Sequence, residues 1–182
     1  MEDKVMKNKH YSVVDLISMD HRFLRDSGRI LLDDQADPSD KLSEARIFLN
    51  LLKMHCSAKA RTVYSDLKNE DEFKREIMDT QSRHRNVSDR LRSLHGRITE
   101  IHWITPELAT ELKLLAESVS RILDLEERNL LPLMKKQLSE LYLCDLGIRY
   151  ERFRKFTSQE LERLPGLPLS VSRKVEAHLN PA

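Results

Sequence analysis

Glycine and proline are scarce in this sequence, with four and six residues, so little of it is built for tight turns. No run alternates apolar and polar residues with the two-residue period of a half-buried strand. The opening residues MEDKVMKNKHYSVV lack the apolar stretch of a signal peptide, and no uncharged run approaches the length of a membrane helix. Two cysteines, Cys56 and Cys144, match no Cys-x-x-Cys pattern, and reduced, packed thiols in a cytoplasmic protein are the expectation. There is no Gly-x-Ser-x-Gly elbow and no Gly-rich phosphate loop, so hydrolase and nucleotide-binding chemistry lack support and no catalytic residue is assigned. Excess charge of one sign is also missing. Lys and Arg (31) nearly cancel Asp and Glu (30), which leaves no global field to draw nucleic acid or an anionic membrane.

What remains is a balance of 34% charged and 40% apolar residues over 182 positions, the composition of amphipathic helices forming one domain. The first helix starts at an N-cap Ser12 and ends near Leu32, with Val14, Ile17, His21, Leu24, Gly28 and Leu31 on one face. The second runs from about Asp40 to Ser65 with the stripe Ala45, Phe48, Leu52, His55, Lys59, Thr62. The third, from Asp71 to Ile98, repeats Phe73, Ile77, Thr80, His84, Val87, Leu91, Leu94, Ile98 in steps of four and three. The fourth begins at Thr105-Pro106 and carries Leu108, Leu112, Leu115, Val119, Ile122, Glu126, Leu130 and Leu133, kinked or ended by Pro132.

Short polar connections between long helices imply antiparallel neighbours. The expected fold is all-α, an up-down-up-down four-helix bundle over residues 12–136, with a loose leader at 1–11 and a C-terminal helical extension at 137–182. Within that extension 141–156 reads as a fifth helix packed on the bundle. Thr157 with Glu160 reads as the capping box of a further short turn, and 170–179 as a terminal helix. Trp103 is expected as a lid over one bundle end. His10, His95, His102 and His178 are read as surface residues, and the arginines 83, 85, 90, 92 and 97 as a solvated face.

Each of the four stripes is interrupted by ionisable residues: His21, His55, His84 and Glu126, with Lys59 as a second on the second helix. Depth counted from the connecting loops allows the histidines to be level. Unpaired, such groups would cost several kcal/mol to bury, whereas imidazole nitrogen and carboxylate oxygen are ligands that iron, manganese and zinc accept.

The segments DLISMDHRFLRD, FLNLLKMHCSAKARTVY, TQSRHRNVSDRL and LAESVSRILDLEERNLLPLMKK resemble the four helices of a hemerythrin-like, or HHE cation-binding, domain, most specifically at Glu-Glu-x-x-Leu-Leu-Pro over Glu126 to Pro132. The resemblance implies a non-haem di-iron centre and a role in O2 binding, redox or NO sensing, or iron handling. It makes His21, His55, His84 and Glu126 metal ligands. Two positions depart from the pattern: Lys59 stands where a bridging glutamate belongs, and Ile122 where a histidine belongs. An ammonium cannot coordinate and repels cations. A standard di-iron centre is therefore not expected, and two alternatives stay open. In one, the three histidines and Glu126 hold a single iron that meets O2, NO or another small ligand. In the other, Lys59 takes the place of the metal and pairs with Glu126 in a metal-free structural or regulatory interaction module.

Overall fold

The computed structural model describes residues 11–162, with side chains as far as Lys155. The described residues are helical and contain no strand. Helix α1 spans Val13–Leu32, its first turn capped by Ser12 Oγ, which accepts from the Asp15 amide at 3.2 Å. Helix α2 spans Pro38–Arg61 and starts before Asp40, because Asp37 accepts from the Ser39 amide at 2.7 Å while Pro38 supplies a preset φ in the first turn. The acidic stretch before it thus breaks one helix and starts the next.

Helix α2 ends sooner than its stripe suggests. Thr62 Oγ1 donates to the Ala58 carbonyl at 2.7 Å, and the backbone at Thr62 leaves helical geometry (φ −123°, ψ −84°). A short helix α3, Val63–Leu67, then carries Val63, Tyr64 and Leu67 into the interior. Helix α4 spans Asp71–Glu100. Its C-terminal end is tied down by Arg46, which donates to the carbonyls of Ile98 and Ile101. Ile101 and Ile104 pack on the core there, whereas Trp103 is 71% exposed and is not a lid.

Helix α5, Pro106–Leu125, is capped by Thr105 Oγ1. Next comes a π turn at Glu126–Leu130, closed by the Leu131 amide on the Glu126 carbonyl, before α6 at Leu131–Gln137. Pro132 has no N–H to continue an ordinary ladder, and the wider turn accommodates it. The extra residue in that turn shifts the buried face, so that Leu131 and Met134 are buried while Leu133 is only half-buried. Helix α7, Glu140–Glu162, runs through Thr157 without the expected restart. The expected terminal helix at 170–179 lies outside the described residues, as does most of the leader.

Helix α1 packs on α2, α5 and α7; α2 packs also on α4 and α7; and α4 packs on α5. Gly147 of α7 lies so close to the start of α1 that a Cβ there would meet the backbone at Tyr11 and Val13. The apolar core forms two clusters. Along α1 the change from one to the other falls between Ile17 and Leu24; along α4, between Ile77 and Val87; and from α5 into the π turn, between Leu123 and Leu130. On α2 it falls between Met54 and Ala58. These intervals contain His21, His84, Glu126 and His55, and Lys59 directly follows the last of them. A polar layer therefore separates two apolar ones. No described helix is long and apolar enough to cross a membrane.

Candidate functional site

Glu126 is the centre of the polar layer. The π turn that bears it ends at Leu130, two residues before Pro132, and its carboxylate is fully buried. Four residues from four helices surround that carboxylate. The Lys59 Nζ of α2 donates to both oxygens, at 2.5 Å to Oε1 and 2.6 Å to Oε2. His21 Nε2 of α1 lies 3.1 Å from Oε2, and His84 Nε2 of α4 lies 3.0 Å from Oε1. Tyr64 OH, brought inward by the break at Thr62, donates to Oε1 at 3.2 Å.

Burial alone would push the Glu126 carboxyl up. The Lys59 charge and the hydrogen bonds from His21 and His84 outweigh it and hold the group well below the usual carboxylate range. Burial beside that carboxylate pushes the Tyr64 phenol well up. His84 is raised: burial and Lys59 oppose its charge, but contacts with Cys56 and Glu126 prevail.

The layer continues outward from His21. Its Nδ1 lies 2.9 Å from Glu127 Oε1, and Arg25 clamps Glu127 with bonds of 2.8 and 2.9 Å and reaches Asp124 at 2.8 Å. The Arg25 guanidinium, ahead of the opposing effect of partial burial, holds the Glu127 carboxyl below its ordinary value.

On the other side stands His55, whose ring meets the His21 ring edge-on at 5.1 Å. Its Nδ1 lies 2.9 Å from Tyr150 OH and 3.3 Å from Asp20 Oδ2; Tyr150 OH donates to the same Asp20 oxygen at 2.6 Å. Arg154 Nη2 stands 2.7 Å from Asp20 Oδ1, and both residues are buried. Burial and the nearby Lys59 push His55 down to about 3 against the pull of Asp20, so its ring is neutral; its Nε2 has no hydrogen-bond partner among the described residues. Tyr150 and Arg154 come from α7, so the C-terminal helix completes this half of the layer.

His21, His55, His84 and Glu126 therefore share one layer. His84 and His21 bond to Glu126, and His55 meets the His21 ring edge-on without a hydrogen bond to the carboxylate. One ligand atom each from His21, His55 and Glu126 lie within 4.8 Å of one another, a spacing that a single cation can bridge. The rest of the donor set does not fit one. Lys59 Nζ caps both oxygens of the only carboxylate in that group, and lies 3.4 Å from His84 Nε2. Ile122 is a buried hydrocarbon. A divalent ion joining Glu126 would meet an ammonium at contact distance.

Asp20, Tyr64, Glu127, Tyr150 and Arg154 belong to the layer without lying on the apolar stripes that single out the others. His95, expected at the surface, is half-buried and lies 3.0 Å from Asn50 Oδ1. Comparison of the chain with family models, with curated proteins and with solved structures found no significant match.

Proposed function

We propose that this chain is a hemerythrin-like bundle, antiparallel and up-down-up-down with a C-terminal helical extension, in which the Lys59 ammonium takes the position of a metal. Its function is that of a metal-free structural or regulatory interaction module rather than an O2 or NO carrier. The observation that carries this reading is the grip of Lys59 Nζ on both Glu126 oxygens at 2.5 and 2.6 Å. The internal cation neutralises the carboxylate and leaves the imidazoles as hydrogen-bond partners.

The bundle arrangement is supported by the packing of α1 on α2, α2 on α4, α4 on α5 and α5 on α1. It is also supported by the order in which each helix meets the two apolar clusters, which reverses from α1 to α2, again to α4 and again to α5. A buried ion pair of this kind fixes register and pairing more than it adds stability over an apolar core. That suits a scaffold whose surface, not its interior, meets partners.

The test is metal analysis of the full chain purified after expression with iron supplementation, together with its visible spectrum. Iron well below one equivalent, and no tight zinc or manganese, is the expected result. One equivalent of iron with a ferric absorption band would overturn the proposal in favour of a mononuclear sensing centre at His21, His55 and Glu126.

A further inference from the structure

The polar layer has an outlet. His84 turns Nε2 inward to Glu126 Oε1 at 3.0 Å and Nδ1 outward to Cys56 Sγ at 3.4 Å. Nε2 faces the carboxylate, which only accepts, at 3.0 Å and the Lys59 ammonium, which only donates, at the longer 3.4 Å; the nearer partner sets the neutral tautomer, so Nε2 carries the hydrogen and Nδ1 presents a lone pair to the thiol. Thiol, imidazole and carboxylate thus come from α2, α4 and the π turn, with the imidazole held in one orientation by its inner bond. This is the arrangement in which a base takes a proton from a sulfur nucleophile.

Cys56 is half-buried, carries no disulfide, and lines a pocket of about 390 Å³ between α2 and α4. Among the described residues the charged side chains around that pocket are cationic: Lys53 and Arg92, both exposed, line it with His95, and no described carboxylate does. Among the described residues Arg92 has a distant, solvent-exposed partner in Asp89 at 3.6 Å. The pocket is larger than a peroxide requires and favours a ligand with carboxylate groups. Its walls are helices, whose interior amide N–H groups are committed to their own ladders, so the paired donors that acyl transfer needs are absent from it. Thiol–disulfide exchange requires only a thiolate, an open approach and charge complementarity.

We infer that Cys56 is a nucleophilic thiol that forms mixed disulfides with small, carboxylate-bearing disulfides bound in this pocket. The Cys56 proton passes to His84 Nδ1 and the sulfur attacks one sulfur of the bound disulfide. The Cys56 S–S bond forms as the old S–S bond breaks, and the departing thiolate takes the proton back from His84. No other oxidant enters, since the disulfide is itself reduced to one free thiol and one mixed disulfide.

The experiment uses the folded full chain with oxidised glutathione as the anionic probe and hydroxyethyl disulfide as the neutral one, followed by intact mass and peptide mapping. Cys56 is expected to react about tenfold faster than Cys144, the other half-buried thiol, which serves as an internal reference. Replacing both rim cations, Lys53→Gln with Arg92→Gln, is expected to slow the glutathione reaction several-fold and leave the hydroxyethyl disulfide reaction unchanged. Both positions are exposed, so folding is not at stake. Equal rates at the two cysteines would overturn the inference, as would a rim variant that slows both probes alike or neither.

Discussion

Lys59 and Glu126 are 67 positions apart in the chain and in direct contact in its interior, both without measurable solvent exposure of their side chains. Removing one partner leaves the other charged group buried among imidazoles. Lys59→Met keeps the length and apolar stem of the side chain and deletes the ammonium. The expected loss is about 3–5 kcal/mol of unfolding free energy, the range for breaking a buried pair. Urea denaturation of wild type and variant checks it, and a loss under about 1 kcal/mol would show that the ammonium is not what holds the layer.

The two departures from the metal-binding pattern can be reversed together. Lys59→Glu supplies a second carboxylate where the ammonium now stands, and Ile122→His puts a nitrogen donor in place of buried hydrocarbon. The double variant is expected to copurify with iron and to show a ferric absorption band, while either single change does much less. Its iron content by metal analysis, set against wild type prepared in parallel, decides the matter. A double variant as metal-poor as wild type would remove the support for the hemerythrin-like ligand set.

The residues at the centre of this layer were legible because each breaks a regular apolar stripe: His21 lies between Ile17 and Leu24, His84 between Thr80 and Val87, and Glu126 between Ile122 and Leu130. Their neighbours were not. Asp20 and Glu127 each adjoin a stripe residue, and an ideal helical period turns such positions off the inward face. The π turn rotates Glu127 back toward His21, and α7 covers Asp20 from outside. Tyr64 points inward only because the chain bends at Thr62, a bend caused by a side-chain hydrogen bond that no periodicity carries. The segment 141–156 was expected to pack on the helices before it, and Tyr150 and Arg154 lie against α1 and α2. That an arginine there would be buried against Asp20 depends on the partner helix, not on the local pattern.

Helix α7 joins the polar layer through those two side chains. Arg154→Met removes the cation opposite Asp20 and leaves a buried carboxylate with Tyr150 and His55 alone, a change expected to cost about 3–5 kcal/mol. Tyr150→Phe deletes only the hydroxyl shared by Asp20 and His55, and a smaller cost of about 1–3 kcal/mol follows. Denaturation midpoints rank the two. Limited proteolysis adds a local reading, since α7 should become cleavable in the Arg154 variant before the rest of the chain. Variants as stable as wild type would mean that α7 adheres through its apolar residues and not through Asp20.

Acid should weaken the fold before any carboxylate titrates. His55 ordinarily binds a proton near 6.5 but does so at about 3 in the folded chain, through burial first and the Lys59 charge second. As the pH falls below about 6.5 the unfolded chain takes up this proton and the folded chain does not. Stability from this source is complete above that value and declines toward about 3, with a slope of up to about 1.4 kcal/mol per pH unit. Glu126 and Asp20 have lowered values and act in a separate window, their contributions being lost only as the pH drops below the ordinary 4.5 and 3.8. His84 has the opposite sign: its raised value adds stability that is full below about 6.5 and fades as the pH rises through its folded value. His95, half-buried and lowered by burial and Lys53, adds to the His55 trend, so the informative quantity is a difference. His55→Gln retains an N–H for Tyr150 or Asp20 without a titrating ring. Between about pH 6.5 and 4.5 the wild-type unfolding free energy should fall more steeply than that of this variant, by about 1 kcal/mol per pH unit. Parallel curves would mean that His55 exchanges protons freely and is not sealed in the layer by Tyr150 and α7.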